Sequence, residues 1–134
     1  MAAKSVSHTV SLSVGNISLA FSDSQTADAS PTNFVLGDQQ VTSAGSPEYI
    51  GRGAKGDALG DVEMSGHKVM ILLRNDTASG GGDLLVSLAD NTTYELSLKP
   101  QHVNLLTITD LQDVKVDSSS GNVDFTYVIV QLDE

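Results

Sequence analysis

Five consecutive large apolar residues, Val69-Met70-Ile71-Leu72-Leu73, sit between Gly66 and the Asn75-Asp76 pair. The run is short for a helix and puts apolar side chains on both alternating faces, so it predicts a strand buried on both sides. Residues 123–132 repeat the pattern, with Val123, Phe125, Tyr127 and Ile129 on one face and Val128, Val130 and Leu132 on the other. Two interior strands need sheet neighbours and cover on both faces.

The neighbours are legible as strands. From Val6 to Val14 apolar residues take the even positions, His8 excepted, and Ile17, Leu19 and Phe21 then take the odd ones. A two-residue turn at Gly15-Asn16 sets Val14 opposite Ile17, Leu12 opposite Leu19 and Val10 opposite Phe21, a hairpin with one apolar face. Further strands are expected at 84–88, as an antiparallel neighbour of the 68–74 run, and at 93–99, 103–108, 114–116 and 123–132. Pro100 ends one of them because it cannot donate to a ladder. Residues 110–116 could instead contain a helical turn. The pattern predicts an all-β fold, an antiparallel β-sandwich or flattened barrel of about eight strands.

Between hairpin and strands lies a long polar and glycine-rich stretch. Residues 22–33 hold no apolar side chain larger than Ala apart from Pro31, Phe34-Val35-Leu36 reads as a short strand or anchor, and Gly45, Gly51, Gly53, Gly56, Gly60 and Gly66 follow. Such a long loop inside one domain is expected to serve a function. The expected organisation is a single domain over 1–134, with a hairpin at 5–22, an extended arm at 23–66 and a strand-dense core at 67–134.

Composition narrows the function. There is no cysteine, so no disulfide framework, thiolate metal site or cysteine nucleophile is available. Seventeen Asp and Glu against seven Lys and Arg give a net charge of −10. The basic residues are scattered, which argues against nucleic acid as a partner. No apolar stretch of signal-peptide or membrane-spanning length occurs, so a soluble chain that binds no membrane is expected.

No motif declares a reaction. Gly51-Arg52-Gly53-Ala54-Lys55-Gly56 matches the spacing of a dinucleotide fingerprint, but that motif works between a strand and a helix, and glycines break the residues after it. Lys55-Gly56-Asp57 and the three Asn-x-Ser/Thr tripeptides are short enough to arise by chance. His8, His67 and His102 are far apart, and Asp57, Asp61 and Glu63 lack the ligand spacing of a calcium loop. The reading is a non-enzymatic protein with no metal and no cofactor.

The sequence LLVSLADNTTYELSLKPQHVNLLTI, followed by a closing VDFTYVIVQLDE, resembles the small β-rich virion proteins of tailed bacteriophages, especially head decoration or cement proteins. The resemblance covers residues 84–134 and lies in strand lengths and corners. It implies a structural protein of the virion, assembled in the host cytoplasm, that stabilises the head by binding the major capsid protein and neighbouring copies of itself, with a trimer as one arrangement. On that reading segments 33–41 and 46–66 are the expected contacts, with Phe34, Val35, Leu36, Tyr49, Ile50, Arg52, Lys55 and Leu59 facing the partner. Deleting 46–66 is then expected to abolish binding and leave the domain folded. The alternative is a carbohydrate- or receptor-binding β-sandwich of a tail or surface protein, which the absence of Trp disfavours.

Overall fold

The structure, a computed structural model, describes residues 5–26, 34–42, 44–53, 55, 57, 59, 62 and 65–132. The described residues form ten strands, β1 Ser5–Val14, β2 Ile17–Thr26, β3 Phe34–Val41, β4 Glu48–Tyr49, β5 Ser65–Asn75, β6 Leu84–Ser87, β7 Leu96–Leu98, β8 Val103–Asp110, β9 Lys115–Ser118 and β10 Val123–Gln131. Among the described residues the one helical element is a 3-10 turn at Leu111–Asp113, within the span where the sequence left a helical turn open.

The fold is all-β and antiparallel. Eight strands form two four-stranded sheets, ordered β3-β10-β5-β8 and β4-β9-β6-β7, and β1 and β2 form a separate two-stranded ribbon. Both two-sided apolar strands are interior: β10 pairs with β3 and β5, and β5 pairs with β10 and β8. The ribbon keeps the register read from the sequence, Val10 with Phe21, Leu12 with Leu19 and Val14 with Ile17, and its strands run on to Ser5 and Thr26. Gly15 takes the positive φ of 58° that the tight turn requires.

Two expectations change. Strand β6 does not pair with β5; it pairs with β7 and β9 in the second sheet. The connection through Gly80, Gly81 and Gly82 therefore crosses between sheets instead of closing a hairpin, and Gly82 allows the crossing because a Cβ there would strike the backbone of Ser120. Described residues of the expected arm also contribute to the sandwich. Residues 34–41 form an eight-residue strand paired with β10 from Val123 to Val130, and Ile50, Leu59 and Val62 lie in the core. Removing 46–66 takes away three core side chains, so that deletion is expected to destabilise the fold as well as any contact.

The core lies between the inner faces of the two sheets. Ile71, Leu73, Phe125 and Ile129 meet Leu84, Val86, Leu98 and Val116 there, all but Leu98 at 0 % exposure. Alternation in β10 is regular, with odd residues buried and even residues turned to the other side. Tyr127 packs in its inward position against two glycines: its ring lies where Gly37, its direct partner on β3, and Gly51 would carry a side chain. Burial there, with the carboxylate of Asp38 as a lesser cause, raises the pKa of its phenol.

Candidate interaction surface

The residues expected to face a partner divide between interior and surface. Ile50 and Leu59 are core residues, and Val35 points inward, half-buried against the core. Tyr49, Arg52 and Lys55 are engaged within the chain. The Tyr49 hydroxyl donates to Asp90 at 2.8 Å, and Lys55 reaches Asp90 at 2.9 Å and Asp113 at 3.0 Å. The Arg52 guanidinium donates to the carbonyls of Leu111 at 3.2 Å and Gln112 at 2.9 Å and sits over the Tyr49 ring. Phe34 and Leu36 remain exposed.

Asp90 is the hub that holds the glycine-rich segment. It adopts a positive φ of 53°, which presents its carboxylate to Tyr49, Lys55 and Lys115 together. Hydrogen bonds from Lys55 and then Tyr49 hold its pKa down at about 2. Bonds to Asp90 and then Asp113 raise the Lys55 pKa, and the bond to Asp90 raises that of Tyr49. Gln39 adds a second clasp, donating to the Tyr49 carbonyl at 3.2 Å and accepting from the Gly51 amide at 2.7 Å. Satisfied in this way, the cluster binds a loop to its own sandwich.

Other polar side chains near the second sheet are similarly occupied. Asp117, 3 % exposed, accepts from the Tyr94 hydroxyl at 2.8 Å and from the amides of Gly45 and Ser118. Burial, and then this bond, push the Tyr94 phenol up to about 12. Among the described residues no group of three His, Cys, Asp or Glu side chains converges to hold a metal ion. Two of the carboxylates weighed for calcium, Asp61 and Glu63, lie outside the described residues, as do Ala54 and Gly56 of the glycine motif.

Uncovered apolar surface is what sets this molecule apart. Among the described residues eight large hydrophobic side chains are exposed, from 42 % at Leu72 to 70 % at Leu36, and they fall on the ribbon and the first sheet. Val10, Ile17, Leu19 and Phe21 belong to the ribbon; Phe34, Leu36, Leu72 and Val103 belong to the first sheet. Alternation turns these four sheet residues away from the core. The register aligns Leu36, Val128, Leu72 and Leu105 in one row across all four strands, and Phe34, Val130 and Met70 in the next.

That outer face has a sharp boundary. One register step beyond the apolar row, in the row that ends at Val103, Thr126 donates to Asp38 and Asp76 and Arg74 bonds Gln101 at 2.9 Å; one step further Gln40 bonds Asp124 at 2.7 Å. The expectation that residues 69–73 are covered on both sides therefore holds for Met70, at 5 % exposure, and fails at Leu72. Over the apolar half, Ser7, Thr9, Val10 and Ser11 of the ribbon stand across a cleft of about 660 Å³ from the sheet. Contiguous apolar area rimmed by polar residues is the signature of an interaction site. The sequence does not reveal it, because a strand apolar on both sides implies two covered faces.

Among the described residues no helix is long and apolar enough to cross a membrane. Comparison of the chain with protein-family models, with curated proteins and with solved structures returns no match.

Proposed function

We propose that this chain is a non-enzymatic structural protein of a virus particle, a β-sandwich that decorates a phage head and reinforces the lattice of the major capsid protein. One observation carries the reading: the exposed large hydrophobics gather on a ribbon and one half of a sheet face, surfaces suited to being covered by assembly. The polar clusters around Asp90 and Asp117 are engaged in holding the fold, which leaves them poor candidates for a reaction centre. The resemblance of residues 84–134 to head decoration proteins supplies the kind of assembly, and a net charge of −10 disfavours a role against packaged nucleic acid.

Attachment in many copies makes modest contacts sufficient, because each bound neighbour raises the effective concentration of the next. The test is sedimentation of lysate from producing cells, with mass spectrometry of the particle fraction. A copy number comparable with the major capsid subunit is expected. Absence of the chain from virion-sized particles would refute the proposal.

A further inference from the structure

The ribbon and the sheet face are both apolar, and the chain covers the face only in part: Met70 is buried, while Phe34, Leu36, Leu72 and Val103 stay exposed beside it. We propose that the β1–β2 ribbon of one copy docks on the apolar half of the β3-β10-β5-β8 face of a second copy, so that the protein associates head to tail. The proposal deepens the structural role above by naming a partner for these surfaces, and rests on that role only for its biological setting.

Charge points to a second copy. At a net charge of −10, two copies repel over most of their surface. Residues 9–22 of the ribbon contain no charged side chain, and neither does the row Leu36, Val128, Leu72 and Leu105. These are places where two acidic molecules can approach without placing carboxylate against carboxylate. A basic partner, which the acidic surface would otherwise attract, finds no counter-charge in either patch.

Shape and area agree. The ribbon pairs two ten-residue strands with its apolar residues in cross-strand register, and the face offers an apolar row four strands wide. Covering both sets and the Ser and Thr residues between them removes on the order of 1,000 Å² from water, the scale at which specific interfaces begin. In its own chain β1 of the ribbon roofs the β10, β5 and β8 part of the face across a cleft of about 660 Å³, and Phe34 and Leu36 on β3 and Ile17, Leu19 and Phe21 on β2 stay exposed outside it. Such an interface is heterologous: each copy gives a ribbon and receives one, and the chain of contacts closes if the rotation allows.

Two substitutions at exposed positions test this in the purified full chain. Leu19→Asp disables the ribbon and Leu36→Asp disables the face, and thermal melts check that both remain folded. Sedimentation velocity is expected to show concentration-dependent association of the wild type and association at least about tenfold weaker in each variant. Mixing the two variants restores one intact joint, the ribbon of the Leu36→Asp chain on the face of the Leu19→Asp chain, so heterodimers are expected. A wild type that stays monomeric, a single variant that associates like the wild type, or a mixture that stays monomeric overturns the proposal. A monomeric wild type that binds capsid particles through its ribbon assigns that ribbon to the lattice and also overturns it. Self-association without particle binding supports this inference while contradicting the decoration role.

Discussion

The side-chain amide of Asn75 donates to the carbonyl of Leu98 at 2.9 Å, joining the end of β5 in one sheet to β7 in the other. The same amide donates to the Gly82 carbonyl at 3.1 Å, and its oxygen accepts from the Thr77 amide at 3.0 Å. Asn75 is fully buried, so water cannot replace any of these bonds. Asn75→Leu leaves two carbonyls and one amide without partners. It is expected to cost about 3 kcal/mol, read as a lower urea midpoint at unchanged slope. A loss below about 1 kcal/mol would show that the sheets are held together without this bond.

Two adjacent residues of β5 should behave in opposite ways. Ile71 is fully buried, so Ile71→Asp places an unpaired charge in the core and is expected to cost about 4 kcal/mol or more. Leu72, 42 % exposed on the outer face, is expected to accept Asp at a cost of about 1 kcal/mol or less. Thermal melts of the two variants decide the strand's facing, and equal losses would refute it.

The crossing between sheets depends on Gly82. A Cβ at this position meets the carbonyl of Ser120, a backbone group that cannot rotate away. Gly82→Ala is expected to lose about 2 kcal/mol, comparable with other forced backbone shifts. Gly80, where a Cβ would meet nothing but φ is 91°, should lose less on the same substitution, because only the backbone strain remains. Urea denaturation of the two variants reads the difference.

Acid should loosen the glycine-rich segment. Asp90 has a folded pKa of about 2, below its ordinary value of 3.8, chiefly because Lys55 and Tyr49 hydrogen-bond its charged form. A depressed carboxylate pKa contributes stability that is present above the ordinary value and lost as pH falls through the folded one. The contribution should therefore fade between about pH 4 and pH 2. Amide exchange in residues 49–57 is expected to rise over that window in the wild type. In Asp90→Asn exchange should already be raised at neutral pH and change less on acidification. Identical profiles in the two proteins would remove Asp90 from its role as hub.

Most of the fold was legible because burial imposes period two on strands. The ribbon register, the interior places of β5 and β10 and the stop at Pro100 follow from alternation and turn chemistry. Strand β3 was read at less than half its length. Its inward positions after Val35 are Gly37 and Gln39, one kept small for the Tyr127 ring and the other spent on hydrogen bonds to residues 49–51, and neither looks like core in sequence. Sheet membership of β6 was hidden as well, since a glycine triplet permits a hairpin or a crossing equally. The candidate surface was the least legible part. Apolar residues on the outer sides of β5 and β10 have the same pattern whether another layer of this chain or another molecule covers them. Phe34 and Leu36 were named as contacts, whereas Ile50 and Leu59, chosen for lying in a glycine-rich loop, proved to be core.

If the ribbon and the exposed apolar half-face serve assembly, substitutions there should release the chain from the particle. Cosedimentation of the purified chain with phage heads stripped of accessory proteins checks this, comparing the wild type with the double variant Leu19→Asp, Leu36→Asp. The wild type is expected in the particle fraction, and the double variant, folded by its melt, in the supernatant. A folded double variant that binds the heads as fully as the wild type would contradict an assembly role for these surfaces.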